Sequence, residues 1–167
     1  NDGMYFLPNA KRKTLLTTTT NADWTTSNKA LNSFRGRKDA QILFCRHSNM
    51  MVSYETGPNE PIMFYNTQGT YSNLADDKGE NFVYINDQDG RSIWVAGTSC
   101  IAEDAKGQIW LATNAGVYVV TDPTNPSTTL RSVKVPRNDG TGYADYLLDG
   151  IRVYDICLLY TSDAADD

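Results

Sequence analysis

The chain has 167 residues, about the size of one domain, with 15 basic residues, 20 acidic residues and a formal net charge of −5. It carries no basic stripe and no polybasic cluster beside an amphipathic helix, so we expect neither a nucleic-acid partner nor a membrane-surface partner. No apolar run approaches the roughly 20 residues that a membrane-spanning helix needs.

The short basic runs and the cysteines do not point to a site. Lys11-Arg12-Lys13 and Arg35-Gly36-Arg37-Lys38 are typical of solvated turns. Cys45 and Cys100 lie inside apolar strand patterns, which favours small buried side chains over a disulfide. Their spacing does not distinguish an oxidising compartment from a reducing one.

The first 39 residues predict the end of one sheet followed by a surface connection. The string NDGMYFL at residues 1–7 parallels NAGVYVV at residues 114–120, and an outer strand is expected at residues 13–16. Residues 17–39 are rich in Thr and Asn and lack periodicity, which is typical of a long surface loop.

Residues 40–71 predict a three-stranded unit. Its apolar runs lie at residues 41–45, 50–54 and 62–65, and they are separated by the turn residues Ser48-Asn49 and Gly57-Pro58-Asn59-Glu60. The unit has neither the Asp-x-x-Gly turn nor the Trp found later in the chain, so it is a degenerate copy.

A hairpin is predicted at residues 81–95, around Asp87-Gln88-Asp89-Gly90. Aligned with a helix-loop-helix calcium loop, Gly90 at position 6 places Ile85 at position 1 and Ala96 at position 12, where oxygen ligands are required. The sequence therefore favours a simple turn over a metal site. The same interpretation applies to Asn138-Asp139-Gly140.

Residues 101–120 predict a three-stranded meander. In the first turn, the Asp104 carboxylate can accept a backbone N–H, and Gly107 can adopt the left-handed conformation that closes the hairpin. Asn114-Ala115-Gly116 is expected to repeat this arrangement. Because the strands are apolar almost throughout, both faces of the sheet are expected to be covered by neighbouring sheets.

This stretch resembles the two-component-regulator propeller repeat, I-x-x-D-x-x-G-x-I-W-[LIV]-[AG]-T-x-x-G-[VL]-[YF], each copy of which supplies strands to one blade of a β-propeller. The positions that build its turns and packing are Asp104, Gly107, Trp110, Thr113, Gly116 and Tyr118, and five apolar positions also match: Ile101, Ile109, Leu111, Ala112 and Val117. The resemblance implies an all-β partial β-propeller of two to three antiparallel meander blades, a fragment of a larger ring.

The resemblance also divides the chain. Residues 1–16 would end an upstream blade, 17–39 form a surface connection, 40–71 a degenerate blade, and 72–135 the blade with the repeat. Two prolines, Pro123 and Pro126, mark the passage to an outer strand near residues 130–135. Residues 136–156 would hold a connection and the first strand of the next blade, Ile151–Ile156.

The C-terminal string CLLYTSDAADD, residues 157–167, resembles a translated sequencing adapter. The chain also begins without an initiator Met, so both ends are expected to be breaks in a longer reading frame. Without the three tail aspartates, Asp163, Asp166 and Asp167, the 20 acidic residues fall to 17 against 15 basic residues, a net charge of −2.

No catalytic group or cofactor is expected. His47 is the only histidine, and one histidine with Cys45 two residues earlier does not complete a zinc site. No nucleophile elbow accompanies it. Trp94 and Trp110 are expected to pack between blades rather than to bind a ligand.

A second resemblance covers residues 82–156. FVYINDQDG, IAEDAKGQIWLAT and VKVPRNDGTGYADYLLDG occur in the order seen in the propeller family of the type IX secretion attachment complex, found on the surface of some Gram-negative bacteria. The last segment is too elaborate for a simple turn and holds three candidate binding residues, Arg137, Tyr143 and Tyr146.

This resemblance implies an extracytoplasmic, non-catalytic protein that contacts a sortase-like protein partner and anionic lipopolysaccharide. The alternative is the periplasmic sensor region of a hybrid two-component histidine kinase, whose propeller binds an oligosaccharide. A propeller enzyme is a third class, and no catalytic constellation in the sequence supports it.

Overall fold

Two four-stranded antiparallel sheets dominate the computed structural model, which describes residues 40–55, 57, 59–69, 76–136, 140 and 142–158. The predictions made for residues 1–39 and 159–167 lie outside these residues. Within the described part, no helix has the length and apolar character needed to cross a membrane. The predicted all-β class is confirmed.

The first sheet contains four strands in sequence order: β1 (Ala40–Phe44), β2 (Met50–Glu55), β3 (Ile62–Asn66) and β4 (Lys78–Phe82). The three strands predicted for this unit are confirmed. The fourth strand, β4, lies beyond the expected end of the unit at residue 71 and pairs with β3 from Ile62↔Phe82 to Asn66↔Lys78. Sequence reasoning missed this strand because its residues are polar and exposed or half-buried.

The second four-stranded sheet contains β7 (Cys100–Glu103), β8 (Ile109–Thr113), β9 (Gly116–Val120) and, after the short helix α1 (Pro126–Thr129), β10 (Leu130–Ser132). The meander predicted at residues 101–120 is confirmed. Its second turn differs from the prediction, because Thr113 pairs with Gly116 and only two residues remain in the loop. There the Thr113 hydroxyl accepts the Ala115 N–H at 3.0 Å, the role that the Asp104 carboxylate has in the first turn.

Two hairpins complete the structure: β5 (Tyr84–Asn86) with β6 (Ser92–Trp94), and β11 (Lys134–Pro136) with β12 (Tyr143–Tyr146). The strand predicted at residues 81–85 is divided between two sheets at Val83, whose carbonyl accepts the N–H groups of Val95 and Ala96. The outer strand predicted near residues 130–135 is divided in the same way at Val133, whose carbonyl accepts the Leu147 N–H.

The segment after β12 was predicted to contain a strand at Ile151–Ile156, and the structure has none at residues 151–158. Instead the segment runs along the meander. Gly150 N–H donates to the Ala115 carbonyl at 2.8 Å, and Val153 N–H donates to the Thr113 carbonyl at 3.0 Å. The end of β8 therefore provides one backbone acceptor to this segment, which is too little to form a ladder.

One hydrophobic core joins the two large sheets and the β5–β6 hairpin. Alternate residues on paired strands face it, as with Val52↔Phe64 and Leu111↔Tyr118. Its buried members come from the first sheet, the hairpin and the second sheet in turn: Met50, Val52, Tyr54, Ile62, Phe64; Ile85, Ile93, Val95; Ile109, Leu111, Tyr118, Val120 and Leu130. Neither sheet has a separate core on this side.

The two sheets are stacked with their corresponding turns at the same ends. The turns β1–β2 and β7–β8 meet at one end, where the backbone of Arg46 and His47 bonds to Glu103. The turns β2–β3 and β8–β9 share the opposite end, which we call the upper end, and there the Gly97 N–H donates to the Glu60 carbonyl at 3.4 Å. The fold thus presents two distinct loop surfaces.

We predict that Leu111→Ala, at a fully buried position of the shared core, lowers the free energy of unfolding by about 2–5 kcal/mol. The loss should occur in a single transition, because both sheets depend on the same core. Urea unfolding followed both by far-UV circular dichroism, which reports on all strands, and by tryptophan fluorescence, which reports on β6 and β8, measures it. Leu148→Ala, at a side chain 44% exposed, is the control and should change the free energy by no more than about 0.5 kcal/mol. Separate transitions for the two sheets would contradict the prediction.

Candidate functional site

The Asp104 turn is held by its own carboxylate. Oδ1 accepts the N–H groups of Lys106 and Gln108, both at 2.9 Å, and Oδ2 accepts Gln108 Nε2 at 2.8 Å and the Trp110 indole N–H at 3.0 Å. Burial alone would raise the pKa of Asp104, but the hydrogen bonds outweigh it and lower the pKa below its ordinary value. The indole N–H of the half-buried Trp110 therefore helps to hold the β7–β8 turn.

Gly107 closes this turn with φ of 79°. A Cβ at this position would lie 2.8 Å from Cβ of His47, which belongs to the β1–β2 turn of the other sheet. The glycine thus meets two needs, a left-handed backbone and a close approach between sheets.

Asp87 builds a second turn of the same kind, in the hairpin predicted at residues 81–95. Its Oδ1 accepts the N–H groups of Asp89 at 3.0 Å and Arg91 at 2.8 Å. Its Oδ2 accepts the Ser132 hydroxyl at 2.6 Å, whereas the matching oxygen of Asp104 bonds within its own hairpin. Gln88 exchanges two further hydrogen bonds with the Ser132 backbone, so this turn ties β5–β6 to β10.

Glu103 joins the two large sheets. Its carboxylate accepts the backbone N–H of Arg46 at 2.6 Å and that of His47 at 3.0 Å, and His47 Nδ1 lies 3.0 Å from Oε1. Burial by itself raises the pKa of Glu103, and the hydrogen bonds from Arg46 and His47 more than offset this, so the pKa is lowered. Sequence reasoning missed this residue because its partners lie more than 50 positions earlier in the chain.

A polar cluster surrounds Tyr146 on the β11–β12 hairpin. The Tyr146 hydroxyl donates to Asp89 Oδ2 at 2.9 Å, and Lys134 Nζ reaches the same oxygen at 2.9 Å. The Arg91 guanidinium lies 3.8 Å from the ring centroid of Tyr146 and pairs with Asp149 at 2.6 Å. The hydrogen bonds from Lys134 and Tyr146 lower the pKa of Asp89. The two cations and two carboxylates are therefore paired.

Of the predicted binding residues, the structure locates Tyr146 in this cluster and places the backbone of Tyr143 opposite Pro136 in the same hairpin. Arg137 lies outside the described residues. The cluster has a sequence signal in the closely spaced charges of Asp89 and Arg91, but their partners Lys134 and Asp149 are far away in the chain.

Three predicted repeat residues converge on the β8–β9 turn. The Thr113 hydroxyl donates to the Gly116 carbonyl at 3.1 Å, and the Tyr118 hydroxyl donates to the Ala115 carbonyl at 3.0 Å. A Cβ on Gly116 would lie 3.1 Å from the Leu148 carbonyl oxygen. The close approach at Gly116 shows that the loop after β12 packs against the β8–β9 turn.

The described residues offer little for covalent or metal chemistry. They contain no group of three or more His, Cys, Asp or Glu side chains that would hold a metal ion. Burial raises the pKa of the Cys45 thiol to about 11, so it is a poor nucleophile at neutral pH. Cys45 and Cys100 are both free thiols.

The stacked meanders, the shared core and the repeated Asp-x-x-Gly turns define a β-propeller type of structure. Residues 97–115 match the family model described as "Two component regulator propeller", which confirms the predicted repeat. No curated protein matches the chain.

Among solved structures, the fold is similar to that of PorZ from Porphyromonas gingivalis, with a TM-score of 0.55 and 17% sequence identity over 71% of this chain. The chain covers 17% of the length of that protein. PorZ is described as an essential bacterial surface component of the type IX secretion system of this human oral bacterium. The chain is therefore a part of a β-propeller fold that contains a two component regulator propeller repeat.

We predict that Asp104→Asn lowers the free energy of unfolding at pH 7 by about 1–3 kcal/mol, because the amide nitrogen cannot accept the N–H groups that one carboxylate oxygen accepts. The folded-state pKa of Asp104 is lowered, so its stabilising effect is complete above the unfolded pKa and is lost as the pH falls through the folded pKa. Below about pH 4 the wild-type chain should therefore approach the variant in stability. Urea unfolding at several pH values tests this.

Asp145→Asn, at an exposed position, is the matched control for this experiment and should follow the wild-type chain at every pH. A constant difference between the wild-type chain and Asp104→Asn down to pH 2 would contradict the assigned role.

We predict that Glu103→Gln raises the amide hydrogen-exchange rate of Arg46 or His47 about tenfold, because one of its two acceptor oxygens is replaced by a donor. Hydrogen exchange read by NMR separates these two amides. Glu80→Gln, on the exposed edge strand β4, should leave both rates unchanged. Unaltered protection in Glu103→Gln would show that another contact holds the two sheets together.

Proposed function

We propose that this chain is part of a non-catalytic propeller that recognises a protein partner at the bacterial outer surface, as a component of a type IX secretion system. The single observation that carries this proposal is the similarity of the sheet arrangement to PorZ over 71% of the chain. Anionic lipopolysaccharide is a second candidate ligand in this role.

The distribution of polar groups supports recognition rather than chemistry. The carboxylates of Asp87, Asp104 and Glu103 accept hydrogen bonds from turns, so they serve the architecture. The β11–β12 hairpin, in contrast, carries the half-buried Tyr146 in a polar cluster at the surface, and we propose Arg137, Tyr143 and Tyr146 as its contact residues. The division of the chain into blades remains part of this proposal, with the end of the degenerate blade moved from residue 71 to Phe82, the last residue of β4.

The alternative function is ligand sensing by a propeller of a hybrid two-component histidine kinase, with an oligosaccharide as ligand. The match of residues 97–115 to the two component regulator propeller model favours it. Because this repeat builds turns and packing, the match does not exclude the secretion role.

The proposal is tested in the source bacterium by replacing Tyr143 and Tyr146 together with Ala in the native gene. We expect severalfold more secreted cargo in the medium and less on the cell surface, measured by fractionation and by protease treatment of whole cells. Tyr84→Ala, at a ring 60% exposed on β5, is the control and should leave cargo attached.

Gene deletion gives the upper limit of the effect on cargo attachment. Normal attachment after gene deletion, with loss of a transcriptional response to an added oligosaccharide, would overturn the secretion role in favour of the sensor.

A further inference from the structure

A cavity of about 490 Å³ opens at the upper end of the sheets, on the far side of the fold from Glu103. Gly57 of the β2–β3 connection, Gly97 before β7, Asn114 of the β8–β9 turn, and Arg152 and Tyr154 of the C-terminal segment line it. Its size lies within the range of about 300–1,000 Å³ typical of ligand sites.

Two hydroxyls that also line the cavity already have acceptors in the protein. The Thr98 hydroxyl donates to the Val95 carbonyl at 2.7 Å, and the Ser99 hydroxyl donates to the carbonyl of Val153. The polar side-chain groups of the lining still available to a ligand are therefore those of Asn114, Arg152 and the Tyr154 hydroxyl.

Asn114 has a buried side-chain Oδ1 with no hydrogen-bond partner. Such an atom costs the folded chain free energy unless a donor reaches it. A ligand that supplies an N–H or O–H group to this oxygen would satisfy it.

Arg152 is exposed, and within the described residues its guanidinium forms no ion pair. It lies 4.7 Å from the ring centroid of Tyr154, which orients its planar fork of donors. Two acidic residues lie equally near to it in sequence: Asp149 pairs with Arg91, and Asp155 accepts a hydrogen bond from the Cys100 thiol at 3.1 Å. Neither lines the cavity. A ligand must therefore supply an acceptor, and a carboxylate fits the guanidinium fork best.

We propose that this cavity binds an extended acidic segment of a protein partner, with a carboxylate on Arg152 and a backbone N–H on Asn114. A peptide offers both groups at short spacing, whereas fully ionised phosphate has no donor. The Arg152 guanidinium covers a face of the Tyr154 ring on which a sugar would stack. This inference rests on the proposed recognition function and deepens it by naming the chemistry of the partner.

The test measures the fluorescence anisotropy of a labelled peptide of alternating Glu and Gly residues while the 167-residue chain is added at low ionic strength. We expect binding that is at least tenfold weaker for the matching peptide of alternating Gln and Gly. Arg152→Ala should weaken binding of the acidic peptide by about tenfold or more, the loss associated with a charge-assisted hydrogen bond. The affinity of Arg152→Lys for the acidic peptide should lie between those of the wild-type chain and Arg152→Ala, because lysine keeps the positive charge and lacks the planar fork of donors.

Asn114→Ala should also weaken binding while the urea unfolding midpoint stays the same or rises, because the residue removed has an unsatisfied acceptor. Arg46→Ala, which removes the same charge from the opposite end of the sheets, is the matched control and should bind as the wild-type chain does.

Three outcomes would overturn the proposal: no binding of the acidic peptide by the folded wild-type chain, equal binding by Arg152→Ala, or Arg152-dependent binding only to phosphatidylcholine vesicles that contain lipopolysaccharide. Because this experiment reads binding to the chain itself, it can fail while cargo attachment in cells still depends on the protein.

Discussion

Each sheet of this protein buries its inner face only against its neighbours. A single four-stranded sheet cannot cover two apolar faces, and here the residues that face inwards from both sheets and from the β5–β6 hairpin form one cluster. Fully buried side chains such as Val52, Ile62, Leu111 and Val120 come from both sheets. The stacking of sheets is thus the source of the core, and the turns and surface sites depend on it.

Three carboxylates accept the backbone N–H groups that the strands of this stacked architecture leave unpaired in its turns. Asp104 satisfies the turn of its own hairpin, Asp87 satisfies its turn and also reaches Ser132 on another sheet, and Glu103 accepts the backbone of the neighbouring sheet. Carboxylates suit these positions because they accept several N–H groups at once, and hydrogen bonds to a charged acceptor are stronger than neutral ones. The same chemical group therefore serves a turn, a hairpin contact and a joint between sheets.

The two loop surfaces differ in what they leave available. At the end of the sheets that carries Glu103, the carboxylate and backbone groups are paired with each other. At the upper end, Asn114 and Arg152 border a cavity without such partners. The pairing of Glu103 with the backbone of Arg46 and His47 thus joins the sheets at one end, whereas the upper end keeps a donor fork and an acceptor beside a cavity.

The sequence by itself determined the local structure: the meander at residues 101–120, the Asp104 and Gly107 turn, the first three strands of the degenerate unit, and the propeller repeat. These features depend on neighbours in the chain, on alternation of apolar residues and on the few residues that favour left-handed turns. Only the tertiary structure decided the division of strands at Val83, the addition of β4, the pairing of Glu103 with the β1–β2 turn, and the placement of Asn114 and Arg152 around one cavity. These contacts join residues that are far apart in the chain or depend on packing against a second sheet, and no short-range pattern of residue types encodes them.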